Sequence, residues 1–224
     1  MIASSSLVLG GWIGAYRPPP RPVTAALLAF ASGALITAVA FELFEDAFEH
    51  GGVWRAGAAF LAGATTFIVV DRRLESRRHK SLGVGLGLLA AVTLDGVPEN
   101  LALGVGLVES SGAALLVAIF ASNLPEAIVG AQKMRDAGLA QARIILLWVA
   151  AAALLTVAVV VGYGTVSGID REHLAWPLGF AAGAVLASLA DTLMPEAYAE
   201  ARDDPRIAYF TALGFLLSFV ISGA

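Results

Sequence analysis

Two hexapeptides, 27 residues apart, hold the side chains best placed to do chemistry: Asp95-Gly-Val-Pro-Glu99-Asn100 and Ser122-Asn-Leu-Pro-Glu126-Ala127. Asp95 and Glu99 stand at i and i+4, so a helix would put both carboxylates on one face. Asn123 and Glu126 stand at i and i+3, and Ser122 precedes Glu126 by four, so these three also share a face. Each proline deletes one backbone donor and frees the carbonyl four residues earlier, at Leu94 and Ala121. Carboxylates, an amide, a hydroxyl and freed carbonyls form an oxygen-rich donor set suited to a divalent cation.

Both hexapeptides sit near the middle of long apolar runs, and this makes them costly. An ionisable residue at a bilayer centre costs about 2.5–3.5 kcal/mol on insertion scales. Neither run has a Lys, Arg or His near the hexapeptides to pair with them. Such carboxylates must be protonated or hold a cation. Asp95, Glu99, Ser122, Asn123 and Glu126 are therefore the expected metal ligands.

The rest of the chain must position these residues in a membrane. Of 224 residues, 58% are hydrophobic and 14% charged, against about 25% charged in soluble domains. Mean hydropathy is +0.79. A net charge of −4 without a basic patch excludes nucleic acid as a partner. The absence of cysteine excludes disulfides, thiolate metal sites and cysteine nucleophiles. Met1 to Tyr16 lacks a basic n-region, so it reads as a first span rather than a signal peptide.

Eight apolar runs, at about 1–16, 23–48, 53–70, 81–108, 112–133, 141–163, 173–199 and 205–222, predict one all-α integral membrane domain covering 1–224. They are too long and too uniformly apolar for the strands of a membrane barrel. All but Arg55 and Arg171 of the 14 basic residues fall after odd-numbered runs or at their edges. By the positive-inside rule that places both termini outside the cytoplasm, in a cell (inner) membrane.

Runs 2 and 7 repeat one another at an offset of 150: Phe30-Ala-Ser-Gly-Ala against Phe180-Ala-Ala-Gly-Ala. Because an even and an odd run cross in opposite directions, the repeat is inverted, a building plan of secondary transporters. Each ends in acids, Glu42, Glu45, Asp46 and Glu49 in one, Asp191, Glu196 and Glu200 in the other. Pro195 frees the carbonyl of Asp191 as a further oxygen. The expected ion pathway runs from Glu42, Glu45 and Asp46, past the central carboxylates and Asn100, to Asp191 and Glu196.

With these residues on the page, the chain resembles the ZIP (ZRT/IRT-like) divalent metal transporters over nearly its whole length. The resemblance is most specific in Asp95-Gly-Val-Pro-Glu-Asn-Leu-Ala-Leu-Gly104 and Ser122-Asn-Leu-Pro-Glu-Ala127. It implies a ZIP-like bundle of eight spans with inverted repeat, a homodimer, and a metal centre midway across the membrane with Glu99 and Glu126 as core ligands. Asp95 stands where the family usually has His, and Ser122 and Asn123 where it has His/Gln and Asn/Asp. Gly96 replaces a ligating Asn and run 6 contains no acid, which favours one metal over two.

The expected function is secondary transport of a divalent metal cation into the cytoplasm, with the metal as substrate and no organic cofactor. The resemblance implies zinc first and then iron, with cadmium as a further candidate. The oxygen donors suit manganese or another harder cation. Alternatives are a ZIP-like sensor or non-metal carrier and, with less support from the ligand types, an intramembrane metal-dependent enzyme.

Overall fold

A computed structural model of the chain describes the backbone of residues 2–81, 84–107, 112–170, 173–201 and 204–222, and their side chains apart from 74–92, 94, 95, 112 and 113. The side chains of Asp95, Arg77, Arg78, His79, Lys80, Arg171 and Arg202 lie outside the described residues.

Among the described residues the chain is helical, and the helices follow the apolar runs. They are α1 (Ile2–Tyr16), α2 (Arg21–Ala38), α3 (Glu45–Ser81), α4 (Val84–Gly106), α5 (Gly112–Asp136), α6 (Gln141–Val166), α7 (Ala175–Ser188), α8 (Met194–Ala201) and α9 (Arg206–Ser222). Proline at the start of α2 fixes the helical φ where no backbone donor is needed. A π-helical turn, Val39–Phe44, carries α2 into α3. Within α3 the chain breaks at Gly52, whose φ of 68° and ψ of 174° are open to glycine and strained for other residues.

Among the described residues, four runs are long and apolar enough to cross a membrane: Arg21–Arg73, Ala114–Asp136, Gln141–Val166 and Ala175–Ala201. Eight were expected. Gly52 divides the first run into two legs, and α1 and α9 are apolar but only 15 and 17 residues long. The outer surface is apolar. On α6, Leu146 is 67% and Val160 66% exposed, and Leu216 and Val220 on α9 are similarly bare. Large side chains of this kind, exposed in rows, need lipid or another apolar cover.

Close packing is made by paired glycines. A Cβ on Gly33 of α2 would collide with the Thr211 carbonyl of α9, and one on Gly214 of α9 with the Phe30 carbonyl of α2. The same reciprocal crossing joins α7 to α3: Gly183 lies against the Phe60 carbonyl and Gly63 against the Phe180 carbonyl. Phe30 and Phe180, and Gly33 and Gly183, are each 150 positions apart, while their partners Phe60 and Thr211, and Gly63 and Gly214, are each 151 apart. The repeat seen in the sequence is therefore a repeat of packing. It extends to the backbone, because a second π-helical turn, Leu189–Leu193, carries α7 into α8 at the same offset. Pro195 follows that turn, but its counterpart is Glu45, so proline is not what makes the turn.

The two hexapeptide helices obey a matching rule. Gly14 of α1 lies against the Ile128 carbonyl of α5, and Gly162 of α6 against the Leu101 carbonyl of α4. Ile128 and Leu101 are 27 apart, the offset of the hexapeptides. In helices without a water-driven hydrophobic force between them, such small-residue crossings supply the contact.

Polar contacts gather at the helix ends. Arg21 meets Glu200 at 3.8 Å, Lys133 of α5 pairs with Glu196 of α8, and Gln141 Nε2 donates to the Ala15 carbonyl at 3.3 Å. Asp204 accepts from the Arg206 backbone N–H at 3.0 Å and from its guanidinium at 2.6 Å. The Arg206 hydrogen bonds hold the Asp204 carboxyl down to about 2. This depressed value makes the contact a stabilising one above the ordinary pKa of 3.8, lost as pH falls toward 2.

Replacing Gly33 or Gly183 by Val should lower the thermal midpoint in detergent by similar amounts, each corresponding to at least the roughly 1–3 kcal/mol of an overpacked core. Gly164→Ala, on an exposed face with nothing within 4 Å of the added carbon, should leave the midpoint unchanged. Unequal losses at Gly33 and Gly183 would contradict the repeat in packing.

Candidate metal site

Helices α4 and α5 run straight through Pro98 and Pro125, so the residues of both hexapeptides stay in helical register. The helices face one another through Ser122, whose hydroxyl lies 3.3 Å from Glu99 Oε2 and 3.1 Å from the Ile119 carbonyl. One hydroxyl proton serves one of these acceptors at a time. Ser122 and Glu126 are one turn apart, so the contact also turns the Glu126 face of α5 toward α4.

Burial here is nearly complete. Glu99 is 2% and Glu126 6% exposed, and Asn100, Ser122 and Asn123 are fully enclosed. Asn100 Nδ2 donates to the Gly96 carbonyl at 2.9 Å, leaving its Oδ1 without a partner among the described residues. Asn123 is more extreme: neither Oδ1 nor Nδ2 finds a hydrogen-bond partner among the described residues. A buried polar group left unsatisfied costs about 1–3 kcal/mol, and Asn123 contributes two.

The structure thus brings Glu99 and Ser122 into contact, with Asn123 next to Ser122 on α5 and Glu126 one turn further on. Asp95 lies on α4 one turn before Glu99, with its side chain outside the described residues. Among the described residues no three His, Asp or Glu side chains converge in a metal-sized group. The donor set that remains is two carboxylates, amides and a hydroxyl.

The expected pathway residues separate into two groups. Glu42 sits in the first π-helical turn, 5% exposed, with one carboxylate oxygen lacking a hydrogen-bond partner among the described residues. Beside it are Ser222 of α9 and the Leu115 backbone in the first turn of α5. Glu45 is exposed and Asp46 half-buried. Asp191 lies exposed in the second π-helical turn, and Glu196 is held by Lys133.

Sequence reasoning overlooked two partners in this arrangement. Lys133 was counted only toward orientation, yet it ties α5 to α8. Ser222 had no motif around it, and its place beside Glu42 depends on how α9 crosses α2. The paired π-helical turns left one usable trace, the repeat at offset 150 running on into the acidic tails.

Comparison with protein-family models and with characterised proteins finds no match for this chain. The reading of the site therefore stands on its own residues.

Asn123→Leu replaces the unpartnered amide by an apolar side chain of similar shape. It should leave the thermal midpoint of the metal-free protein unchanged or raise it, by up to the roughly 1–3 kcal/mol that an unsatisfied buried group costs. A clear fall in the midpoint would mean that the fold itself needs the amide.

Proposed function

We propose that this chain is a ZIP-like secondary transporter that carries a divalent metal cation through a carboxylate site between α4 and α5. The observation that supports this most strongly is Asn123, a fully buried amide with no partner on either polar atom among the described residues, one turn of helix from Glu126 and adjoining Ser122 in the chain. A fold that needed only packing would gain by replacing that amide with an apolar residue. A cation bound by Glu99, Glu126 and the Asn123 oxygen would satisfy the polar group and offset the buried charge at once.

In this reading the chain acts as a carrier and not as an enzyme. Eight spans cross the inner membrane, both termini face outward, and two copies form a dimer. The ion enters past Glu42, Glu45 and Asp46, binds at the centre alongside Asn100, and leaves past Asp191 and Glu196. Each elementary charge moved inward gains about 2.3 kcal/mol per 100 mV of inside-negative potential, so a divalent ion needs no nucleotide to drive its entry. The family resemblance points to zinc first and then iron, and the oxygen donors also suit manganese. The inverted repeat of α2 and α7 supplies the two related half-structures that alternating access requires.

Uptake into liposomes tests the proposal. Purified protein reconstituted with a divalent-ion-sensitive dye inside should admit at least one of zinc, ferrous iron, manganese or cadmium. Glu99→Gln and Glu126→Gln should each reduce the rate by more than the roughly 10–100-fold that loss of an outer-shell partner costs a metal site. If no divalent ion enters, or both variants transport at the unaltered rate, the proposal fails.

A further inference from the structure

A cleft of about 410 Å³ opens between α2 and α9, and none of its lining residues lies on α4 or α5. The two helices run in parallel. Gly33 lies against the Thr211 carbonyl, Thr37 Oγ1 donates to the Phe215 carbonyl at 3.0 Å, and the Phe41 and Phe219 rings meet. The cleft occupies the turns before that crossing, with Val23, Ala26 and Phe30 on the α2 side and Ile207 and Phe210 on the α9 side. Its mouth is at the first residues of both helices, where Arg21 stands beside Glu200 and Arg206 beside Asp204.

The dimensions suit a lipid chain. From Pro22 to Phe30 the helix rises about 12 Å, close to the roughly 15 Å of half a bilayer's hydrocarbon core. The cleft also opens sideways onto the outer surface, since Val23 is 47% exposed and Tyr209, next to Phe210, is 65% exposed.

The charges at the mouth are of both signs and do not use one another up. Asp204 takes Nε and Nη2 of Arg206, at 3.0 and 2.6 Å, which leaves the Nη1 donors without a hydrogen-bond partner among the described residues. Arg21 Nε and Glu200 Oε2 stand 3.8 Å apart, beyond hydrogen-bond reach, so both groups are open to a third. Both arginine side chains are more than half exposed.

We propose that this cleft binds one phospholipid with a zwitterionic, primary-amine headgroup of the phosphatidylethanolamine kind. One acyl chain lies in the cleft, the phosphate meets Arg21 and Arg206 Nη1, and the ammonium meets Glu200. Guanidinium and phosphate join through charge-assisted hydrogen bonds. A choline headgroup has no N–H to give Glu200, and a glycerol headgroup has no positive charge, so the mouth tells the three apart. The proposal uses the membrane-length apolar run that contains α2 and is independent of the metal site.

Native mass spectrometry of the purified full-length protein in detergent, titrated with dioleoyl phosphatidylethanolamine, phosphatidylcholine or phosphatidylglycerol, tests it. The unaltered chain should bind one ethanolamine lipid about fivefold or more tightly than either of the others, the worth of roughly one net hydrogen bond. Glu200→Gln should abolish the preference over the choline lipid and leave choline-lipid binding unchanged. Arg21→Gln combined with Arg206→Gln should weaken all three lipids, by about fivefold for each arginine removed. Ala26→Phe fills the cleft without altering a charge and should also weaken all three. Ala26→Leu serves if the ring prevents folding.

Equal affinity for the three lipids, a tighter hold on phosphatidylglycerol, or binding that filling the cleft at Ala26 leaves unchanged overturns the proposal. So does a lipid-free dimer that Ala26→Phe dissociates, because the cleft then belongs to a second copy of the chain. Divalent-ion uptake is a separate readout, so each of these results leaves the transport reading intact.

Discussion

The packing of α4 on α5 depends on polar side chains that have been taken out of water. Glu99 of α4 meets Ser122 of α5, and these two, with Asn100, Asn123 and Glu126 on the same helices, are no more than 6% exposed. Desolvation favours the neutral form of a carboxylate and penalises an amide without partners. A single cation bound there would reverse both penalties, by neutralising the acids and coordinating the amide oxygen. Ser122 is the hinge of this arrangement. Its hydroxyl lies between its own backbone at Ile119 and the carboxylate of the other helix, so the two hexapeptides are already in register across the interface.

The surrounding helices fix that register with crossings that only glycine permits. Gly14 seats α1 on α5 and Gly162 seats α6 on α4, against carbonyls at equivalent positions of the two hexapeptide helices. A second set, Gly33 with Gly214 and Gly183 with Gly63, binds α2 to α9 and α7 to α3. Both π-helical turns occur where these latter helices pass into their acidic ends. Such turns within α-helices are frequent at functional sites. Here one buries Glu42 beside the start of α5, and the other precedes Glu196, which is tied to the end of α5 through Lys133. The helix that carries Asn123 and Glu126 is thus attached at both ends to the two halves of the repeat.

Much of this was legible in the sequence because it depends on composition and spacing. Long apolar runs bounded by Pro, Gly and charges predicted the helices, and four runs meet the demands of a membrane span. The offset of 150 between Phe30-Ala-Ser-Gly and Phe180-Ala-Ala-Gly predicted a repeat that the glycine crossings reproduce. The contact of Ser122 with Glu99 follows from two matched Pro-Glu steps. Other features depend on three-dimensional surroundings and have no local signal. That Asn123 lacks any partner is a property of the residues around it. The π-helical turns come from backbone register, and Glu45 and Pro195 at equivalent positions show that no single residue type dictates them. Lys133 looked like one more basic residue at a helix end until Glu196 was found opposite it.

The central claim is that the α4–α5 contact holds a cation through Glu99, Glu126 and Asn123. Anomalous diffraction from crystals soaked in manganese tests it most directly, since the scattering reports the metal and its place at once. The account predicts one peak between the two helices, about 2.0–2.4 Å from oxygens of Glu99, Glu126 and Asn123, as expected for a hard cation on oxygen ligands. A site without that peak, with the Asn123 amide hydrogen-bonded to protein on both of its polar atoms, would contradict it.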